Sequence, residues 1–317
     1  MKSGPCACLR NVRQNLNNMK AKFYSLVISL WTYFPLKKQL IFLLKSVNID
    51  FDKYIRDLWF VGKFKVFIGK LSFYLFAEKS DKGMLEIYYK GIAKCWDSKS
   101  ILIWKQLASR SETIFDIGAN FGLYSLVAKM TNSKSKVYAF EPSLHALKML
   151  RKNIAINNYE IEVYDIALSN VNGTANFNDL EKSSAASSLV IDTAEINKEN
   201  LSLRQVKTIT LNDFIKQKQI SKIDLVSLDV ELFETEVLEG MGDLISTHLP
   251  DFLMEVINNE IGEKIECFFH DKGYLFYEIN ERDMTITHRK HLKRDDNRNH
   301  SFNFLICSKE IAENLKL

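Results

Sequence analysis

Residues 113–128, Thr-Ile-Phe-Asp-Ile-Gly-Ala-Asn-Phe-Gly-Leu-Tyr-Ser-Leu-Val-Ala, decide the fold of this chain. The first five, TIFDI, have the length and the apolar, aromatic character of a short buried strand. From Leu123 to Met130 the apolar spacing becomes helical. Between the two lies Asp116-Ile-Gly118-Ala-Asn120-Phe-Gly122. Gly118 permits a tight turn and a close backbone approach to a ligand, and Gly122 closes the turn at the helix start. The helix N-terminus behind it offers unpaired N–H groups to a carboxylate or phosphate. Taken alone, D-x-G-x-N-x-G is as readily a plain left-handed turn.

Working outward, the alternation continues. Lys136–Phe140 reads as a second strand, Ala146–Asn157 as a helix and Ile161–Leu168 as a third strand. Val206–Leu211 and Ile223–Val230 read as strands, with a helix from there through Ile245. Phe252–Ile257, Tyr274–Ile279 and Phe302–Ile306 are further strands, and Glu260–His270 is a helix. Strands alternating with helices predict a doubly wound, mostly parallel sheet of Rossmann-like α/β type. Before it, residues 1–55 read as helical and basic. Residues 56–80, punctuated by Gly62 and Gly69, read as a hairpin, and 84–108 as helical, with Leu85, Tyr88, Ile92 and Trp96 on one face. The expected division is an N-terminal extension over 1–85 and the main domain over 86–317.

Acidic residues collect where such a sheet binds ligands, at the carboxyl ends of its strands. Glu141 ends the second strand about 25 residues beyond Asp116, where an acid accepts bonds from both ribose hydroxyls of a nucleotide-like cofactor. Asp165 lies in the third strand segment, near an adenine amine or simply solvated. Asp229 and Glu231 end a buried strand, and Glu255 ends the next; these three are the candidates to stabilise a cation or take a proton from an acceptor. Glu255 is equally a buried structural acid. Glu234, Glu236 and Glu239 fit better as helix residues, with Glu234 favouring the macrodipole.

The 317 residues are 46% hydrophobic and 26% charged, an ordinary globular composition. A net charge of +4 gives no reason to expect nucleic acid as a partner. Cys6, Cys8, Cys95, Cys267 and Cys307 are odd in number and widely spaced, which fits a reducing cytoplasm better than a disulfide framework. No metal-ligand spacing is present. The run Phe23–Leu36 is flanked by lysines, and no acid precedes Asp50. At about 14 residues it is shorter than a spanning helix. A helix packed on the main domain is the favoured reading, and a peripheral contact with an anionic membrane is the other. Thr287–His300 carries His288, His291 and His300 with Arg289, Lys290, Lys293, Arg294 and Arg298. Following the sixth strand, it is expected to emerge at the ligand edge, as a solvated loop or, less favoured, as a site for an anionic acceptor or a histidine base.

Together these residues resemble the FkbM family of class I S-adenosylmethionine-dependent methyltransferases over about residues 96–280. The carriers are TIFDIGANFGLYSLVA, VYAFEPS, NIAINN, ALSNVNG, TITLNDFI, LVSLDVELFETEVLEGM and FLMEVI, in that order. The resemblance implies S-adenosyl-L-methionine as cofactor, with Asp116, Gly118 and Asn120 along its methionine part, Glu141 on the ribose and Asp165 near the adenine. It also implies a hydroxyl acceptor on a sugar, glycan or other natural product. The sequence departs where the family carries K-I-D-V-E-G-x-E. Here Ser227 replaces the lysine and Leu232 the glycine, in Ser227-Leu-Asp229-Val-Glu231-Leu232-Phe-Glu234. The cofactor half of the site is intact and the acceptor half is altered. Two rival readings follow. One is a nicotinamide-dependent oxidoreductase, disfavoured by the absence of G-x-G-x-x-G. The other is a methyltransferase-fold scaffold at a membrane-associated assembly, without transfer activity.

Overall fold

The computed structural model describes residues 39, 60–78, 82–180, 201–294 and 302–317. The expected N-terminal basic helices, with the membrane-surface reading attached to them, lie outside the described residues, as do Cys6, Cys8, Arg298 and His300. The chain forms two compact units. One comprises 1–62 and 77–89, the other 63–76 and 90–317. In the first, the described part is chiefly helix α1 (Lys82–Lys90), with Met84, Leu85 and Ile87 buried and Tyr88 stacked on Phe60 at 4.1 Å.

The second unit is built on eight strands. β3 (Thr113–Ile117), β4 (Lys136–Phe140), β5 (Glu162–Tyr164), β9 (Leu225–Leu228) and β10 (Asp251–Glu255) are parallel neighbours in the order β10-β9-β3-β4-β5. β13 (Asn303–Ser308) then pairs antiparallel with β10, β11 (Tyr274–Asn280) pairs antiparallel with β13, and β12 (Thr285–Arg289) closes the edge. The sheet is thus α/β, Rossmann-like and mostly parallel, with an antiparallel tail. Reversal at β11 and β13 places the last strand inside the sheet rather than at its edge.

Side-chain alternation along β3 and β4 explains the two layers. Phe115, Ile117, Tyr138 and Phe140 turn to one face and join the large apolar core. Ala139 turns to the other and packs with Leu147 and Leu150 of α4 (Leu144–Asn157). On the first face Phe214, from α5 (Leu211–Lys218), meets Phe140 at 4.9 Å and Tyr164 at 4.8 Å, both edge-on. α5 starts at Thr210, whose hydroxyl accepts from Asp213 N, a regular N-cap. α6 (Glu234–Met241), α7 (Leu244–His248) and α8 (Asn259–Phe269) contribute to the same core. On the opposite face lie α2 (Ser98–Ala108) and α3 (Leu123–Thr131), joined by Trp104 Nε1 donating to the Tyr124 carbonyl at 2.9 Å.

Several sequence expectations are refined. The 84–108 segment is not one helix. It breaks at Gly91 (φ 77°) and restarts as α2. Ile161–Leu168 is not one strand. β5 ends at Tyr164, and β6 (Ala167–Leu168) enters a separate three-stranded sheet with β8 (Leu201–Ile209) and β7 (Gly173–Leu180). β8 ends at Ile209, so Leu211 opens a helix instead of closing a strand. The expected hairpin forms as β1 (Gly62–Ile68) and β2 (Leu71–Ala77). Its residues 63–76 group with the main unit rather than with the N-terminal one. The reason is local: Asn153 and Asn157 of α4 accept from Phe76 N and Tyr74 N and cover the outer edge of β2. α9 (Lys309–Leu315) ends the chain.

Candidate functional site

The turn after β3 is shaped by its backbone bonds. Gly118 N and Ala119 N both donate to the Phe140 carbonyl at 3.0 Å, and Asp229 N donates to the Ile117 carbonyl at 3.0 Å. The ends of β4, β3 and β9 are thereby drawn together. Gly118 has φ 80°, and a Cβ there would stand 1.7 Å from the Asp229 carbonyl oxygen, so no other residue fits. Asn120 follows in the left-handed region (φ 51°), a conformation asparagine tolerates better than most.

A cleft, partly open to solvent, lies over these strand ends. Gly118, Asn120, Glu141, Asp229 and Glu231 line it, with Ile166, Phe177 and Phe233 as apolar wall. Five sequence candidates are therefore brought together. Asp116, Gly122, Asp165 and Glu255 do not line the cleft; they stand behind it or beside it. Asp116 is turned to the helical face, where it accepts from Ser125 N (2.8 Å) and Ser125 Oγ (2.5 Å) in the first turn of α3. Burial pushes its carboxyl up to about 6. Asp116 thus fixes the helix that carries the turn. Gly122 (φ 91°) precedes that helix, with a Cβ barred by Leu150 Cδ1 at 2.5 Å. Asp165 is half-exposed and pairs with Arg204 at 3.6 Å.

Glu141 is buried, yet both its oxygens have backbone partners. Oε2 accepts from Asn120 N and Oε1 from Ser143 N, each at 2.7 Å. Burial pushes its carboxyl up to about 7 against the lowering effect of those bonds. Each oxygen keeps a second lone pair for a ligand hydroxyl.

The β9–β10 side is different. Asp229 and Glu255 stand side by side at the ends of the neighbouring strands β9 and β10. Both are raised, first by burial and then by carboxylates: Glu255, Glu231, Glu234 and Asp97 act on Asp229, and Glu231, Glu234 and Asp97 on Glu255. Glu234 is buried at 1% exposure, with Oε1 accepting from Val230 N at 3.3 Å and Oε2 without a partner. Asp97 is the acid that sequence reasoning missed. It precedes α2, accepts from Tyr124 Oη and Asn303 Nδ2 at 2.9 Å each, and is pushed up to about 7 by burial and by Glu281. Glu281, at the end of β11, caps the first turn of α2 through Lys99 N and Ser100 N. Among the described residues no group of His, Cys, Asp and Glu is arranged to hold a metal ion, and no helix is long and apolar enough to cross a membrane.

The altered motif adopts an unusual backbone. Glu231 and Leu232 have φ 55° and 74°, consecutive left-handed residues without a glycine. The chain keeps the turn that a glycine would favour, with a cost of about 1–2 kcal/mol per residue.

The basic segment requires a correction. Thr285–Arg289 is strand β12, which runs back from the ligand edge beside β11. The following residues return along α8. His291 pairs with Glu266 and Lys293 with Glu263, both at 2.8 Å, and Leu292 N donates to Glu266. Arg289 pairs with buried Glu278, and Arg294 N donates to Asn259. Arg289, His291, Lys293 and Arg294 are engaged by local acids and backbone, and the rest of the expected loop, 295–300, lies outside the described residues. The hairpin turn between β11 and β12 is residues 281–284.

The Methyltransferase FkbM domain family matches residues 116–279. The chain is 27% identical over 188 residues to methyltransferase sdnD of Sordaria araneosa, covering 51% of this chain and 73% of that protein. It is 24% identical over 198 residues to the 31-O-demethyl-FK506 methyltransferase FkbM of Streptomyces tacrolimicus, covering 54% and 75%. It is 26% identical over 140 residues to the hexuronic acid methyltransferase AglP of Haloferax volcanii, covering 44% and 54%. Among solved structures, it resembles methyltransferase FkbM from Methylobacillus flagellatus with a TM-score of 0.40 at 13% identity, over 62% of this chain and 43% of that one. With the strand-end turn, the buried strand-end acid and the family match over the same residues, the chain belongs to the FkbM methyltransferase family.

Proposed function

We propose that this protein transfers the methyl group of S-adenosylmethionine to a hydroxyl oxygen of a sugar, glycan or other small natural product. The observation that supports this reading most is the meeting, in one cleft, of the Gly118–Asn120 turn, the Glu141 carboxylate and the Asp229–Glu231 acids. The residues suit the cofactor. Glu141 presents acceptors for a ribose diol, Ile166 and Phe177 form an apolar wall for a flat base, and Asp229 and Glu231 form an anionic wall for a cation. Asp165, beside that wall, is the acid for the adenine amine; Asp116 and Gly122 act through the turn they hold. Bound there, S-adenosylmethionine supplies an electrophilic methyl group on a sulfonium.

The acceptor side follows from the acids. Asp229 and Glu255 are adjacent, and burial together with the acids around them raises both carboxyls. A hydroxyl placed against this pair gives up its proton to the ionised carboxylate oxygen as its own oxygen attacks. Alignment of donor and acceptor in the cleft supplies much of the remaining rate. Two relatives bear on the acceptor: one is named for 31-O-demethyl-FK506 and one for hexuronic acid. Both names fit a hydroxylated natural product or sugar.

The first test is calorimetric titration with S-adenosylhomocysteine, beside the Glu141→Ala variant. Micromolar binding that the variant loses supports the cofactor site, and labelled methyl transfer to hydroxylated sugars then tests the acceptor. Correctly folded protein that binds no S-adenosylhomocysteine overturns the reading. Binding without transfer to any hydroxyl acceptor favours a scaffold.

A further inference from the structure

Arg204 is not part of any motif, yet it joins two walls of the cleft. It lies on β8, directly across from Phe177 of β7, whose ring lines the cleft. Its guanidinium carbon stands 5.9 Å over that ring. Nε donates to Asp179 Oδ2 at 3.1 Å, and Nη2 faces Asp165 Oδ1 at 3.6 Å. Two chains of contacts start from it. Through Asp179 it reaches the start of α4: Ser143 Oγ and Leu144 N donate to the two oxygens of Asp179 at 2.7 and 3.0 Å, and Ser143 N donates to Glu141. Through Asp165 it reaches Ile166, the next residue, which lines the cleft.

The second contact is incomplete. Nη2 is buried and has no hydrogen-bond partner, since 3.6 Å exceeds hydrogen-bond range. A buried guanidinium donor without an acceptor is costly. Drawing Asp165 in by about half an ångström satisfies it, and a ligand edge held by Asp165 does so while fixing the carboxylate. Charge points the same way. Asp179 is buried beside Glu141, and the cation next to it balances that charge.

Resting on the cofactor reading above, we propose that Arg204 is a positioning residue that sets the cleft's preference for an amino-bearing purine, by holding Asp165 against the amino edge. It makes no contact with the cofactor itself. Its second arm, through Asp179 and Ser143, keeps the ribose acid in place.

The test is titration of wild type, Arg204→Gln and Arg204→Lys with two ligands: S-adenosylhomocysteine, and its analogue with hydrogen in place of the purine 6-amino group. Wild type is expected to prefer the amino ligand about ten-fold, the value of one charge-assisted hydrogen bond. Arg204→Gln is expected to weaken S-adenosylhomocysteine at least ten-fold and to bring the preference close to one. Arg204→Lys, still a cation, recovers part of it. If Arg204→Gln strands the buried Asp179 charge and fails to fold, the Arg204→Gln/Asp179→Asn double variant removes that charge, and it must still lack the preference. Equal weakening of both ligands, an unchanged preference, or a wild type that does not discriminate overturns the proposal while leaving the cofactor site standing. A wild type that binds neither ligand removes the cofactor reading and this inference with it.

Discussion

On one side of the cleft buried carboxylates are answered by backbone N–H groups; on the other they face one another. Glu141 holds backbone donors of the β3–α3 and β4–α4 turns, and Asp116 a backbone and a hydroxyl donor of Ser125. Asp229, Glu255 and Glu234 are raised instead, by burial and by carboxylates around them that include Glu231. The backbones differ in the same sense. The β3 turn takes its positive φ angles at Gly118, Gly122 and Asn120, residue types suited to them, whereas the β9 turn takes them at Glu231 and Leu232. The first side is complete without a ligand. The second is a strained, like-charged arrangement that a cation and a proton donor would relieve. That is the expected difference between a side that binds and a side that reacts.

The comparison breaks most abruptly at Gly118. Gly118→Ala puts a methyl group into the Asp229 carbonyl and forces an L-residue into φ 80°. Overpacking of about 1–3 kcal/mol adds to about 1–2 kcal/mol for the left-handed conformation. We expect a melting temperature lower by several degrees and S-adenosylhomocysteine binding weaker by more than about 100-fold. Calorimetry on the folded fraction checks it. Near-normal binding would mean that the turn does not hold the cofactor.

Asp229→Asn separates the two sides. It keeps the size of the side chain and removes the carboxylate, so transfer should fall about 10²–10⁴-fold while S-adenosylhomocysteine affinity stays within a few-fold. Single-turnover kinetics beside calorimetry shows the split. Glu141→Gln should do the reverse. With one acceptor oxygen in place of two, it loses about 10–100-fold in affinity, and bound enzyme turns over at a similar rate.

What could be read from the sequence follows from how local each signal is. β3, α3 and β4 lie within one uninterrupted change of period, and Glu141 falls at a fixed distance from the glycine turn, so both were legible. Asp97 was not. It reaches the acids only because β13 brings Asn303, 206 positions away, next to it. β7 was hidden because Gly173–Leu180 alternates small and amide residues around a single aromatic, Phe177, and becomes a strand by pairing with β8. Asp165 breaks an apolar run into β5 and β6, two strands of different sheets, which no period can reveal. The basic segment was misplaced for a similar reason: the acids that receive it, Glu263 and Glu266, belong to a helix already past.

Titration distinguishes the two sides more gently. Asp97, Glu141 and Glu234 are each raised to about 7 and Asp116 to about 6, mainly by burial. For carboxyls whose folded value exceeds the unfolded one, near 4, the folded protein binds the extra protons. Their contribution to stability is complete below about pH 4 and is lost as pH rises through about 6 to 7. The free protein should therefore melt several degrees lower at about pH 8 than at about pH 5.5. A sulfonium against the Asp229–Glu255 pair should tighten as pH rises through about 8, so the preference for S-adenosylmethionine over S-adenosylhomocysteine grows with pH. A flat preference would place the cation away from Asp229 and Glu231.

The smallest effect tests whether the strain in the second side serves the reaction. Leu232→Gly releases about 1–2 kcal/mol of left-handed strain, against about 0.5–1 kcal/mol for the freedom that glycine gains in the unfolded chain. Leu232 is half-buried, so some apolar contact is lost as well. The net change in stability should be under about 1 kcal/mol, within a few degrees of melting temperature. Activity is the informative quantity. If Leu232 only replaces a glycine that once made the turn easy, the variant transfers methyl groups as well as wild type or better. If the two left-handed residues hold Glu231 toward Asp229, the freed backbone lets Glu231 turn out to solvent, relaxes the raised pair and lowers kcat several-fold with cofactor affinity unchanged. A matching loss of affinity would instead tie Leu232 to the binding side and erase the contrast between the two halves of the cleft.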